Sequence, residues 1–106
     1  MTSNKLEIPV APLVEIPPGE GRTFHIAGER VAIFHTRAGQ VFATQAECPH
    51  KAGPLAEGLL GGVTLICPLH SWKFDLTTGE AQDNECRLKT YPAHVDRDGR
   101  VILLLA

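Results

Sequence analysis

Two short segments concentrate the residues able to hold a metal. Cys48-Pro49-His50 and Cys67-Pro68-Leu69-His70 each carry one thiol and one imidazole, and 16 residues separate His50 from Cys67. A thiolate is a soft donor and an imidazole a borderline one, so this donor set suits a transition metal. The close spacing within each pair lets both side chains of one loop address one centre. A proline after each cysteine fixes φ and stiffens the loop. Gly53, Gly58, Gly61 and Gly62 follow the first pair. Glycines there allow close backbone approach and leave N–H groups able to point at sulfur. No nucleophile stands beside a base, and Cys48 and Cys67 read better as ligands than as nucleophiles. No phosphate-cradling glycine loop opens a helix, and no residue is assigned a catalytic role.

Three readings of the four residues compete. They can be buried thiols and scattered histidines, but the Cys/His pairing occurs twice. They can bind structural zinc through two cysteines and two histidines. Such zinc sites more often pair cysteine with cysteine and histidine with histidine, so mixed pairs count against it. Or they can hold a binuclear [2Fe–2S] centre in which two cysteines bind one iron and two histidines the other. In that arrangement each loop spans both irons, which accounts for one ligand of each kind per loop.

The elements that must position these loops read as strands. Short runs of β-branched and aromatic residues lie between 8 prolines and 10 glycines, an all-β pattern. Apolar residues do not recur at helical spacing over three turns. Strands are expected at Leu13–Glu15, Arg22–Ile26, Arg30–Thr36, Gln40–Thr44, Val63–Cys67, Lys73–Asp75, Leu88–Val95 and Arg100–Leu105. Ala27-Gly28-Glu29 and Arg37-Ala38-Gly39-Gln40 are tight glycine turns of hairpin type. Asp98-Gly99 should pair Tyr91–Val95 with Val101–Leu105. Pro92 within the first of these implies an edge or a bulge. Val101–Leu105 is apolar throughout, which suits a strand covered on both faces. Ala46–Gly62 and Pro68–Trp72 do not fit the strand pattern and read as irregular loops of the functional kind.

Composition limits the classes of function. The chain has 106 residues and a formal charge of −2, so a single domain over residues 1–106 is expected. It lacks the basic footprint of a nucleic-acid binder. The longest apolar run, Val101–Ala106, is far short of the ~20 residues a membrane helix needs. Met1–Pro18 carries Glu7, Glu15 and four prolines and does not read as a signal peptide. Three cysteines cannot complete a disulfide framework, which points to a reducing, cytoplasmic setting.

The order C-x-H then C-x-x-H resembles the signature of Rieske [2Fe–2S] proteins. The flanking runs Cys48-Pro49-His50-Lys51-Ala52-Gly53-Pro54-Leu55 and His70-Ser71-Trp72-Lys73-Phe74-Asp75-Leu76-Thr77-Thr78-Gly79-Glu80 are similar to the small subunit of NAD(P)H-dependent nitrite reductase. That resemblance extends through Cys86 and Tyr91-Pro92 to Val101–Leu103. It implies a Rieske-like fold of small antiparallel sheets with a two-loop tip. It also implies a [2Fe–2S] cluster on Cys48, His50, Cys67 and His70, and one-electron transfer to or from a protein partner. The large subunit of such an enzyme would carry flavin, siroheme and the catalytic site. The freestanding ferredoxin of a ring-hydroxylating oxygenase is the alternative within the family. Those ferredoxins are usually more proline-rich after the second loop, where this chain has Gln82-Asp83-Asn84-Glu85-Cys86-Arg87-Leu88. A non-redox zinc or docking module is the reading from another class.

The resemblance also bears on potential. Two thiolates and two neutral imidazoles leave an oxidised centre uncharged, so it accepts an electron more readily than a four-thiolate centre. Rieske centres span about −150 to +300 mV. High-potential members carry a disulfide between the two loops and serine and tyrosine hydroxyls directed at the sulfurs. The matching positions here are Gly53 and Leu69, and Trp72 and Phe74, so the low end of that range is expected. Trp72 and Phe74 are expected to be core or to shield the cluster. Cys86 is expected to be a structural or free thiol. His25, His35 and His94 are expected on the surface or satisfied in the core. Lys51 and the acidic residues Glu57, Glu80, Asp83 and Glu85 are candidate docking charges.

Overall fold

The computed structural model describes residues 6–49, 53–68, 72–82 and 85–105. Ten strands form three antiparallel sheets, in agreement with the all-β expectation. They are β1 (Leu6–Pro12), β2 (Glu20–Ile26), β3 (Glu29–His35), β4 (Val41–Gln45), β5 (Leu59–Gly61), β6 (Thr64–Ile66), β7 (Lys73–Asp75), β8 (Thr90–Tyr91), β9 (Ala93–Val95) and β10 (Arg100–Leu105). The sheet orders are β1-β10-β9, β2-β3-β4-β8 and β5-β6-β7. Among the described residues no helix is long and apolar enough to cross a membrane.

Strand β3 is the wall between two cores. Successive strand residues face opposite sides. Val31 and Ile33 pack with Ile16, Ile26, Ala43, Val101 and Leu103. Ala32 and Phe34 pack with Leu55, Leu65, Phe74 and Leu88. All four β3 residues are fully buried or nearly so, so both faces must be apolar, as the run Val31-Ala32-Ile33-Phe34 is. Gly21 lies across from Phe34. A Cβ there would meet the Phe34 ring at 2.6 Å and the Ala56 backbone at 3.4 Å. Glycine at this position therefore lets the segment after the first Cys/His pair settle on the four-stranded sheet.

Several elements differ from expectation. Leu13–Glu15 is a 3-10 turn, not a strand. Pro12 sets φ at −63°, the Ile16 N–H returns to the Leu13 carbonyl, and Ile16 is fully buried. The unexpected β1 precedes it. Its prolines Pro9 and Pro12 are tolerated because β1 is an edge strand paired only with β10, with a register shift between Pro9 and Ala11. The expected strand Leu88–Val95 is divided at Pro92. Tyr91 pairs with Ala43 in one sheet and Ala93 with Leu103 in another. Both resulting strands are sheet edges, as a proline demands. The Asp98-Gly99 turn does join β9 to β10, with Val95 opposite Val101. Ala46–Gly62 is less irregular than expected, since it contains a 3-10 turn at Leu55–Glu57 and strand β5.

Candidate metal centre

Both Cys/His segments are flanked by antiparallel pairs that close in the same way. At the first, the Leu55 N–H donates to the Ala46 carbonyl at 3.0 Å and Glu47 bridges Pro54. The Cys48 N–H then donates to the Gly53 carbonyl at 2.9 Å. At the second, β6 and β7 pair Ile66 with Lys73, and the Cys67 N–H donates to the Trp72 carbonyl at 2.7 Å. Each cysteine thus opens a tip whose closing carbonyl lies five residues further on. His50 and His70 fall between these closures and lie outside the described residues, as do Lys51, Leu69 and Asp83.

The two cysteines share one environment. Cys48 is 2% exposed and Cys67 1%, and both belong to the core formed by Phe34, Leu55, Leu60, Leu65, Phe74, Leu76 and Leu88. Burying a thiolate among apolar side chains is costly unless a cation neutralises it. A metal held by the two cysteines would supply that charge, so the donor chemistry fits an iron–sulfur centre. Among the described residues no third His, Cys, Asp or Glu completes a metal-holding group with them. Cys86 is partly buried and packs at the margin of the same core.

Aromatic residues back the second tip. Phe74 is fully buried, and Trp72 packs against the same core. Their ring centroids are 6.5 Å apart with planes at 49°. This agrees with the core reading of both residues. Gly79 supports the arrangement from behind. It has φ +85°, and a Cβ there would lie 2.5 Å from the Leu88 carbonyl oxygen, so only glycine permits the turn after β7 to reach the 86–89 segment. Asp75 caps this turn, accepting from the Thr77 N–H and hydroxyl. Those two hydrogen bonds hold its carboxyl below the usual range.

The remaining histidines are accounted for without metal. His25 and His94 are exposed, and His35 Nδ1 lies 2.7 Å from the Ile16 carbonyl oxygen. Glu57, Glu80 and Glu85 are exposed, with Glu80 paired to Arg87. Two features escaped sequence reasoning. Arg30 pairs with Glu47 at 2.7 Å, beside Cys48. Gln45 donates to the Glu47 carbonyl and accepts from the Lys89 N–H, both at 2.7 Å. No local pattern marks either, because Arg30 lies 17 residues from Glu47 and Gln45 lies 44 from Lys89.

The fold and the two tips define an iron–sulfur electron-transfer domain. The Rieske [2Fe-2S] domain family matches residues 7–92, and the chain belongs to that family. Its cofactor is a Rieske-type [2Fe–2S] cluster, and it works with a protein partner. The chain is 39% identical over 93 residues to the biphenyl dioxygenase ferredoxin subunit of Pseudomonas sp. strain KKS102, covering 85% of this chain and 83% of that one. A solved structure described as the small subunit of an NADPH nitrite reductase superposes with a TM-score of 0.84 at 30% identity. That match covers 95% of this chain and 99% of that one. The chain also matches part of a larger protein, the 4beta-methylsterol monooxygenase of Methylococcus capsulatus. It is 31% identical over 88 residues and spans 24% of that protein's length.

Proposed function

We propose that Cys48 and Cys67 bind one iron of the cluster and His50 and His70 the other. We further propose that the chain is a single Rieske domain over residues 1–106, serving in the cytoplasm as the small subunit of an NAD(P)H-dependent nitrite reductase. The observation that carries the ligand assignment is the matched closure of two tips around two buried cysteines in one core. When bound, the cluster supplies a centre that takes up and releases one electron. The chain's own residues hold it. Pro49 and Pro68 stiffen the tips, the Gly53 and Trp72 carbonyls fix the cysteine amides, and Phe74 excludes water from the buried side. Phe74 offers no hydroxyl to a sulfur, which supports a potential at the low end of about −150 to +300 mV.

The likeness along nearly the whole chain to a nitrite reductase small subunit supports the choice of partner, as does the proline-free run at 82–88. The 39% identity to a dioxygenase ferredoxin favours the second reading, delivery of electrons to a ring-hydroxylating oxygenase. Anaerobically purified protein should contain two irons and two sulfides per chain and give a Rieske-type EPR signal on reduction. Cys48→Ser and His70→Ala should each abolish that signal. His50→Cys, where a cluster is retained, should lower the potential. Zinc without iron or sulfide would overturn the ligand assignment. Stimulation of nitrite reduction by a purified large subunit with NADPH tests the partner, and support of oxygenase turnover alone would select the second reading.

A further inference from the structure

We infer that Gln45 is a positioning residue for the cluster, holding the Glu47–Cys48 peptide and tying the first tip to the chain that leaves the second. The inference rests on Cys48 and Cys67 being ligands. The peptide between Glu47 and Cys48 is held at both ends. Its carbonyl accepts from Gln45 Nε2 at 2.7 Å, and its N–H donates to the Gly53 carbonyl at 2.9 Å. The rotation of that peptide plane sets the direction of the Cys48 Cα–Cβ bond and hence the approach of its sulfur.

The other end of the same amide reaches the chain that leaves the second tip. Gln45 Oε1 accepts from the Lys89 N–H at 2.7 Å, and the Gln45 N–H donates to the Lys89 carbonyl at 2.8 Å. From Lys89 the connection runs through Leu88 N–H to the Gly79 carbonyl at 2.7 Å and Ala81 N–H to the Cys86 carbonyl at 3.0 Å. It reaches β7 where the Gln82 N–H donates to the Lys73 carbonyl at 2.9 Å. Lys73 follows Trp72, whose carbonyl closes the second tip. The two cysteines are thus joined by a protein brace that does not pass through the metal, and Gln45 is where the brace meets the first tip. An apolar side chain of the same length would fill its space but release both backbone groups.

The test compares Gln45→Met, which loses both side-chain bonds, with Gln45→Glu, which keeps the acceptor for Lys89 and loses the donor to Glu47. Val101→Ala, in the other core, serves as a destabilised control. Iron and sulfide content, the EPR line shape of the reduced protein, visible circular dichroism and iron release to a chelator are measured. Both Gln45 variants should bind a full cluster with altered g values and broadened lines. Iron release should be about fivefold faster in Gln45→Glu, the factor one lost hydrogen bond allows, and faster still in Gln45→Met, which loses two. Val101→Ala should leave the spectra unchanged. Wild-type spectra and release rates in both Gln45 variants would overturn the inference. Wild-type behaviour of Gln45→Glu alone would overturn the peptide-holding half of it. Failure of the ligand assignment reads out differently, as a wild-type protein that lacks the iron and sulfide.

Discussion

The two cores of this protein are built by different means. The core of Ile16, Ile26, Val31, Ile33, Ala43, Val101 and Leu103 lies between long strands, with β2 and β3 paired along seven residues without interruption. The core around Cys48 and Cys67 is held by strands of three residues, a 3-10 turn and loop closures. In the first, each residue is fixed by its neighbours in the sheet. In the second, position depends on a few tertiary hydrogen bonds and on what the tips hold. A body of long strands carrying a tip held by short strands and loop closures suits a metal-bearing electron carrier, because the geometry around the metal is set where binding can complete it.

Removing the metal should break this symmetry most strongly. Stripping iron with a chelator should accelerate hydrogen exchange at β5, β6 and β7 by at least about tenfold, while β3 and β10 keep their protection. Equal loosening of both regions would show that they fold as one unit. Replacing a core side chain is the next largest change. Phe74→Ala and Leu103→Ala should each destabilise, by about 3–5 and about 2–5 kcal/mol respectively in urea melts. Only Phe74→Ala should also alter the EPR spectrum and potential.

A smaller effect is expected in alkali. Burial, followed by the hydrogen bond to Glu29 and its charge, pushes the Tyr91 phenol up from 10.0 to about 12. The phenol donates to Glu29 Oε1 at 2.6 Å, with Lys89 Nζ 5.1 Å from the Tyr91 ring centroid. The folded protein holds this proton more tightly than the unfolded chain. Its contribution to stability is therefore complete below pH about 10 and lost as the pH rises through about 12. Tyr91 is the only tyrosine, so absorbance at alkaline pH reads it directly. Glu29→Gln should bring the midpoint down. The smallest change concerns Ala27, which has φ +51° in the turn between β2 and β3. A left-handed alanine is strained by roughly 1–2 kcal/mol, and Ala27→Asn should recover about 0.5–1 kcal/mol in thermal melts without touching the metal centre.

The same contrast governs what could be read from sequence. The bounds of β7 and β10 are legible to the residue, and the Asp98-Gly99 hairpin forms, because short apolar runs and turn chemistry are local. β1 was missed because Pro9 and Pro12 argue against a strand unless its edge position is known. β5 was missed because Gly58, Gly61 and Gly62 read as loop. In fact a Cβ at position 58 would lie 2.4 Å from the Ile66 carbonyl oxygen, so that glycine is there for close packing. Leu13–Glu15 misled in the other direction, since the burial of Ile16 that accompanies the turn is a tertiary feature. Cys48 and Cys67 were legible from residue type and spacing, and the structure places both in one core. Gln45 was not, because its meaning lies in Lys89, far along the chain.

Trp72 gives the molecule an optical gauge of its own. It is the only tryptophan, its carbonyl receives the Cys67 amide, and its ring lies beside Phe74. Its emission therefore reports whether the second tip is closed. A visible-absorbing cofactor held there would quench it, so filling and emptying of the centre can be followed in real time on the unlabelled protein.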